Sequence, residues 1–130
     1  MVILADTSAW VEFLRATGSH THGQLREAGA AGRLAVTDPV IMEVLAGARD
    51  DVDRRRLRRT LDTAHYLAVA ARRDYERAAD LFCACRREGE TIRSLVDCLI
   101  AAVALRNGVA VLHRDGDFGA IARRAPLMIA

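Results

Sequence analysis

Four acidic residues stand at positions where a carboxylate needs a special reason. Asp6 and Asp115 each follow an apolar run, VILA and VAVLHR, that is typical of a buried strand. Asp97 lies in the first turn of the predicted helix SLVDCLIAAVALRNG, and Glu43 interrupts the apolar stretch PVIMEVLA. An ionised side chain at such a position is costly to bury without a partner.

A hard cation among these four acids would explain all of them together. Carboxylate oxygens are the ligands that magnesium and manganese prefer. In an open parallel sheet, ligands bind outside the carboxyl ends of the strands, so Asp6 and Asp115 are able to meet there. The sequence therefore indicates a cluster of carboxylates that holds a metal ion.

Each acid also has a purely structural explanation. Asp97 follows Ser94 by three residues and could be the acidic member of a capping box. Asp6 and Asp115 could cap the helices that follow them, and Glu43 could face solvent at the edge of its helix. The combination favours the metal site, because capping requires no convergence of strand ends.

Predicted strands and helices alternate along the chain, which is typical of an α/β protein. Hydrophobic patterns, caps and breakers predict five strands, the last at a sheet edge: 2–5, 33–37, 64–69, 109–114 and 126–130. They also predict seven helices: 7–16, a second that ends near Gly32, a third from Asp38-Pro39, then 51–61, 74–87, 94–107 and a short one from Asp117. We expect one domain, residues 1–130, in three α/β/α layers around a mostly parallel sheet.

The remaining composition excludes several other kinds of protein. No apolar run approaches the roughly 20 residues that span a bilayer, and the first residues lack the pattern of a signal peptide. Three cysteines match neither a disulfide framework nor a zinc site, so we expect free thiols in the cytoplasm. His20 and His22 have no third ligand nearby and are interpreted as surface residues.

All 19 basic residues are arginines, so chemistry that needs a lysine is excluded. Arg54, Arg55, Arg58 and Arg59 cluster on one predicted helix and could contact phosphates. The alternative is an ordinary solvated helix face, and the net charge of +2 does not decide between the two. Further arginines, at Arg86, Arg87 and Arg93, offer a second possible path for a nucleic acid.

Three segments together resemble the PIN-domain ribonucleases, and specifically the VapC toxins of bacterial toxin–antitoxin pairs. These segments are ILADTSAWVEFLR, TDPVIMEVLAGAR and SLVDCLIAAVALRNGVAVLHRDGDF, and their order and spacing cover nearly the whole chain. The resemblance implies that the acids of the family are Asp6, Glu43, Asp97 and Asp115, with Thr7 or Ser8 as the accompanying hydroxyl. Asp117 is an alternative for the last position. The chain departs from the family at His113, where Thr or Ser is usual.

The resemblance implies a magnesium-dependent endoribonuclease, with manganese able to substitute. Asp6, Asp97 and Asp115 would bind the metal, Glu43 would bind through water or orient the attacking water, and Thr7, Ser8 or Asp117 would support them. At least one carboxyl pKa should be raised until a cation binds. The substrate would be structured RNA such as tRNA or rRNA, or messenger RNA, and cleavage would inhibit translation and growth. The partner would be a VapB-type antitoxin, in a hetero-oligomer with a toxin homodimer.

Two other functions compete with this one. Receiver domains and haloacid-dehalogenase-type phosphatases also place an aspartate at the end of a central strand, but both imply a lysine that this chain lacks. A binding module whose acids only hold a structural cation or cap helices would need no catalysis. Activity measurements separate these alternatives.

Overall fold

A computed structural model describes residues 1–130 and contains four strands and seven helices. The strands are β1 (Ile3–Ala5), β2 (Leu34–Thr37), β3 (His65–Leu67) and β4 (Ala110–Leu112). The helices are α1 (Thr7–Leu14), α2 (His20–Ala30), α3 (Asp38–Ala46), α4 (Asp51–Asp62), α5 (Ala71–Arg87), α6 (Leu95–Asn107) and α7 (Gly116–Ala122). The strands form one parallel sheet in the order β3-β2-β1-β4. The predicted three-layer α/β/α fold is therefore confirmed.

The sheet brings the two strands that end in aspartate side by side. Ile3 of β1 is paired with Leu34 of β2 on one side and with Ala110 of β4 on the other. The pairing continues past β1, because the N–H of Asp6 donates to the carbonyl of Leu112 at 3.0 Å. The carboxyl ends of β1 and β4 therefore form one edge.

Helix α6 is the most deeply buried helix, which explains its nearly continuous apolar sequence. Ile100, Ala101 and Val103 are completely buried, and the helix packs against α5. It ends where predicted, because Gly108 adopts the left-handed conformation (φ 63°) that stops a helix. Asp97 lies in the first turn of this buried helix, so the packing of the helix fixes the position of its backbone.

Two predicted boundaries differ from the structure. The predicted strand at 126–130 is only a single bridge between Val111 and Ile129, because the backbone bonds there involve Met128 and Ala130 on either side of one residue pair. Helix α5 begins at Ala71, three residues before the predicted start. There the Asp74 carboxylate accepts the N–H of Ala70 at 2.6 Å and so caps the first turn.

The surroundings of the cysteines and of the early histidines do not resemble a metal site. Cys85 and Cys98 are buried and Cys83 is half-buried, and all three are free thiols. The His22 ring accepts the N–H of Gly18 at 2.9 Å and packs edge-on against Phe13. These contacts give no reason to place a metal there. No helix combines the length and the apolar character needed to cross a membrane.

Candidate metal centre

The four predicted acids line one cavity at the carboxyl edge of the sheet. The cavity has a volume of about 380 Å³, and three hydroxyl side chains share its wall. Its acidic and hydroxyl-bearing lining residues are Asp6, Thr7, Ser8, Glu12, Glu43, Ser94, Asp97 and Asp115. The structure thus brings together side chains from both ends of the chain and from α3 and α6.

Asp6 caps α1 and still faces the cavity. Its Oδ1 accepts the hydroxyl of Ser8 at 2.8 Å and the N–H of Ala9 at 3.2 Å. The other oxygen, Oδ2, makes no hydrogen bond. Asp6 is only 1 % exposed, and this burial raises the pKa of its carboxyl despite the hydrogen bonds from Ser8 and Ala9. Capping and metal binding are therefore compatible at this residue, since each uses a different oxygen.

Ser8 joins the ends of the two central strands. Its hydroxyl donates to Asp6 and also accepts the N–H of Arg114 at 2.8 Å. One oxygen therefore fixes the distance between the segment after β1 and the segment after β4. Ser8 thus supports the Asp6 carboxylate, while the neighbouring Thr7 contacts Glu43.

Asp97 does not form the capping box that its spacing from Ser94 allows. A capping box requires the acidic side chain to accept the N–H of Ser94. That N–H instead donates to Asp117 at 3.1 Å, and the Ser94 hydroxyl caps the N–H of Val96 at 3.2 Å. The Oδ2 atom of Asp97 is buried and has no hydrogen-bond partner. The structural alternative for Asp97 is therefore wrong.

The surroundings of Asp97 disfavour its ionised form. Burial, followed by the adjacent Asp117 carboxylate and the charges of Asp115 and Asp6, raises the pKa of Asp97 to about 9. An ionised Asp97 is therefore unfavourable here unless a cation balances the charge of the cluster. The sequence-based expectation that at least one acid would have a raised pKa is met at this residue.

Asp115 and Asp117 complete the cluster from the start of α7. One carboxylate oxygen from each of Asp97, Asp115 and Asp117 lies within 4.8 Å of the others. Asp115 Oδ1 caps the helix by accepting the N–H of Asp117 at 2.9 Å, and its Oδ2 makes no hydrogen bond. Asp115 is therefore placed as Asp6 is, with one oxygen bonded and one left over.

Asp117 differs from its neighbours because both of its oxygens already have donors. Each oxygen lies 3.1 Å from the N–H of Arg93, and Oδ2 also accepts the N–H of Ser94. The side chain is 3 % exposed. Asp117 thus ties the start of α6 to α7, a contact between segments more than twenty residues apart that the sequence did not reveal.

Glu43 reaches the cavity from α3 and contacts Thr7. The Thr7 hydroxyl donates to Glu43 Oε1 at 2.6 Å. Glu43 is exposed, unlike Asp6 and Asp97. It therefore stands at the open side of the cavity, where a carboxylate can hold a water molecule.

His113 supplies the polar contact that the departure from Thr or Ser left open. Its Nδ1 accepts the N–H of Asp115 at 3.1 Å, and its ring lies 5.1 Å from the ring of Phe118. The imidazole therefore fixes the backbone of Asp115 and adds an aromatic contact to α7.

The arginines that were proposed to bind RNA lie apart from the cavity wall. Arg54, Arg55, Arg58 and Arg59 are exposed, and α4 buries the opposite face, where Leu57 lies. None of these four arginines forms an ion pair within 4.0 Å.

Two other arginines lie beside the acids. Arg114 is on the cavity wall and pairs with Glu12 at 3.2 Å, and Arg93 lies 3.5 Å from Asp115. No sequence pattern marks Arg114 as a site residue, although it directly precedes Asp115. Arg93 was predicted only as part of a second possible path for a nucleic acid.

The donor set fits a hard divalent cation. All candidate ligands are carboxylate oxygens, and softer nitrogen or sulfur ligands are absent from the cavity wall. The buried, unpartnered Oδ2 of Asp97 is the most direct sign, because a polar atom in that state is destabilising unless something binds it. Asp6 Oδ2 and Asp115 Oδ2 are also without hydrogen bonds.

Comparisons with known proteins agree with this geometry. Residues 3–124 match the PIN domain family. Ribonuclease VapC11 of Mycobacterium tuberculosis is 46% identical over 131 residues, which cover 99% of this chain and 98% of the relative.

Two solved structures have the same fold. VapBC-1 from nontypeable Haemophilus influenzae has a TM-score of 0.77 at 15% identity and covers 100% of this chain and 97% of that one. VapBC-5 from Mycobacterium tuberculosis has a TM-score of 0.67 at 25% identity and covers 99% and 98%. Sequence and fold lead to the same group. The chain therefore belongs to the PIN-domain family and, within it, to the VapC ribonucleases.

Proposed function

We propose that residues 1–130 form a single nuclease domain, a magnesium-dependent endoribonuclease that acts as the toxin of a VapBC-type pair. The observation that carries this proposal is the convergence of four acids on one cavity with the Oδ2 of Asp97 buried and unpartnered. Membership of the VapC ribonucleases supplies the substrate class, RNA.

Asp6, Asp97 and Asp115 are the residues that would hold the cation, each through an oxygen that makes no hydrogen bond in the structure. When bound, magnesium or manganese would make a water molecule a better nucleophile at neutral pH and would relieve charge on the leaving oxygen. The carboxylates would offset the positive charge of the cation, and Asp97, whose pKa is raised in the metal-free protein, would bind in its ionised form.

The remaining residues of the cavity position water and the ligands. Glu43 is exposed at the cavity opening and is oriented by the Thr7 hydroxyl, so it is suited to hold the attacking water. Ser8 orients the Asp6 carboxylate by a hydrogen bond, and His113 accepts a hydrogen bond from the backbone of Asp115. Asp117 acts through the backbone of residues 93 and 94 rather than as a free ligand, because its oxygens are already occupied.

The expected partners follow from the relatives. VapBC-5 is a member of the VapBC family of toxin–antitoxin systems, and a similar structure from Klebsiella pneumoniae is a toxin–antitoxin complex, which supports a VapB-type antitoxin as the partner of this chain. We infer a homodimer in a toxin–antitoxin hetero-oligomer in the cytoplasm. A structured RNA, rRNA or tRNA, is the inferred substrate, and VapC20 of Mycobacterium tuberculosis is a toxin that cleaves the sarcin–ricin loop.

The test is RNA cleavage by the purified chain in magnesium, in manganese and in excess EDTA. We expect cleavage in both metals and none in EDTA, with activity restored when magnesium is added back. Full cleavage in EDTA would contradict the proposal, and dependence on zinc would redirect attention to His20, His22 and the cysteines. Sequencing the new RNA ends after expression without antitoxin then identifies the bond that is cut.

The same assay decides between the alternatives. A non-catalytic binding module would bind the metal and leave RNA intact. An aspartyl-phosphate protein would incorporate phosphate from a small donor such as acetyl phosphate, and the absence of lysine argues against this.

A further inference from the structure

The loop between α5 and α6, residues 88–94, carries an arginine to the rim of the metal centre. The guanidinium of Arg93 lies 3.5 Å from Asp115 and 4.0 Å from Asp117, and its side chain is 75 % exposed. Ion pairs this long and this exposed contribute little to stability. The side chain therefore lies beside the acids but has no strong partner.

The backbone of this loop is held at both ends. Near its start, Gly89 adopts φ 76°, and the N–H of Glu90 donates to the carbonyl of Cys85 at 3.0 Å. Near its end, the N–H groups of Arg93 and Ser94 bind the Asp117 carboxylate. Arg93 is thus presented by a rigid backbone, which lowers the entropic cost of any contact its side chain makes.

Glu90 anchors the middle of the loop to the end of α7. Its carboxylate binds the guanidinium groups of both Arg123 and Arg124, the latter at 3.3 Å, and its side chain is 19 % exposed. Ile92 is buried beneath the loop at 7 % exposure. The two ion pairs of Glu90 and the burial of Ile92 together form a clamp. This clamp fixes the position of the loop backbone that carries Arg93 relative to the acids.

An RNA strand approaching four carboxylates meets repulsion unless a positive charge stands beside them. An arginine guanidinium matches the geometry of a phosphate and can donate two hydrogen bonds to it. The exposed arginines of α4 lie on a face turned away from the protein interior, whereas Arg93 lies next to Asp115. Arg93 is therefore the better placed of the two to contact a phosphate close to the cleaved bond.

We propose that Arg93 binds a backbone phosphate of the RNA at the metal centre and that Glu90, through Arg123 and Arg124, is the positioning residue for it. This inference rests on the proposed function, because it takes RNA as the substrate. It assigns a role to a loop that contains none of the candidate metal ligands.

The test measures binding of unfractionated bacterial tRNA to the full chain in magnesium. Asp97→Asn serves as the common background so that the RNA stays intact, which a gel verifies. In that background, Arg93→Ala should weaken binding about tenfold and reduce the slope of log affinity against log salt by about one phosphate contact. Arg93→Lys should recover part of the affinity, and Arg26→Ala, an exposed arginine without an ion pair, should change neither quantity.

Glu90→Gln tests the clamp through a double-mutant cycle. We expect a loss of about threefold in affinity when Arg93 is present and no further loss when Arg93 is alanine, since interacting residues are not additive. The melting temperature of each variant shows whether the loss reflects unfolding. If Glu90→Gln is equally harmful in both backgrounds, Glu90 acts on stability and not through Arg93.

The outcomes separate this inference from the function on which it rests. A wild-type chain that cleaves RNA while Arg93→Ala binds with unchanged affinity and salt slope would overturn the role of Arg93 alone. A wild-type chain that neither binds nor cleaves RNA would overturn the proposed function.

Discussion

Two buried aspartates in different regions of this protein, Asp74 and Asp97, have opposite surroundings. At the start of α5, Asp74 accepts Arg106 Nε on Oδ1 at 3.0 Å and Arg106 Nη2 on Oδ2 at 2.9 Å, and it also accepts the N–H of Ala70. In the candidate metal centre, Asp97 is similarly buried but has an oxygen with no hydrogen-bond partner. Asp74 therefore has its hydrogen-bond partners within the chain, whereas the second oxygen of Asp97 has a partner only if another group binds there.

The pKa values of the two acids express the same difference. Burial acts to raise the pKa of Asp74, but the hydrogen bonds from Arg106 and Ala70 outweigh it and hold that pKa below its usual value. Burial and neighbouring carboxylates raise the pKa of Asp97 to about 9. A buried acid with all its donors in the chain serves stability, whereas an acid surrounded by other acids indicates a binding site.

The largest effect is expected from Asp97→Asn, which keeps the shape of the side chain and removes its charge. Cleavage should fall at least about a hundredfold, since even residues that only support a metal ligand usually cost ten- to a hundredfold. The melting temperature in EDTA should be unchanged or higher, because a neutral amide relieves the repulsion. RNA cleavage and thermal unfolding measure the two quantities. Wild-type cleavage by a folded Asp97→Asn protein would remove Asp97 from the metal site.

Asp74→Asn should have the reverse profile. Breaking a buried ion pair and leaving Arg106 uncompensated should lower the free energy of unfolding by about 2–4 kcal/mol, less than for a fully buried pair because Arg106 is partly exposed. The melting temperature should fall by roughly 10 °C. Cleavage per folded molecule, measured well below that temperature, should stay within about twofold of wild type because Asp74 lies outside the cavity. A selective loss of cleavage would show that the two regions are coupled.

The two acids should also give opposite dependences of stability on pH in metal-free protein. The folded pKa of Asp74 is lowered, so its contribution is present above the unfolded value of about 3.9 and is lost as the pH falls below it. The folded pKa of Asp97 is raised, so its contribution is present in acid and is lost as the pH rises toward about 9.

Urea unfolding in EDTA across the pH range measures both slopes. Asp97→Asn should flatten the decline between about pH 5 and 8, and Asp74→Asn should flatten the decline below about pH 4. Unchanged slopes in both variants would mean that other groups dominate.

The smallest effect is expected from Arg55→Ala with Arg58→Ala on α4. If this face contacts phosphates, the double variant should weaken RNA binding a few-fold and reduce the salt slope by about two. The two side chains are three residues apart on one helix, so they report on one surface. Cleavage at saturating RNA should change much less. An unaltered affinity and slope would leave α4 as a solvated face and would strengthen the case for Arg93.

The sequence predicted the fold and most of the local structure because those depend on short-range patterns. Asp6 and Asp115 were predicted from the ends of apolar strands and Asp97 from an acid in an otherwise apolar helix, and the structure places all three on one cavity wall. The strand predicted at 126–130 was wrong in extent, because an apolar composition does not determine how many residues find a partner at an edge.

Contacts between segments that are far apart in the chain could not be predicted from the sequence. The bonds from Arg93 and Ser94 to Asp117 and from Arg114 to Ser8 follow from how α6 and β4 pack in three dimensions, and no local pattern encodes them. For the same reason Ser94 and Asp97 looked like a capping box, since the competing acceptor for the Ser94 N–H lies 23 residues away.

Ser8 and Arg114 are 106 positions apart in the chain, and the Ser8 hydroxyl connects the Asp6 carboxylate to the backbone of Arg114, directly before Asp115. Synthesis on the ribosome adds residues from the N-terminus onward, so a nascent chain carries Asp6 and Glu43 long before Asp115 and the strand that positions it. The acid set is completed only when most of the chain has been made.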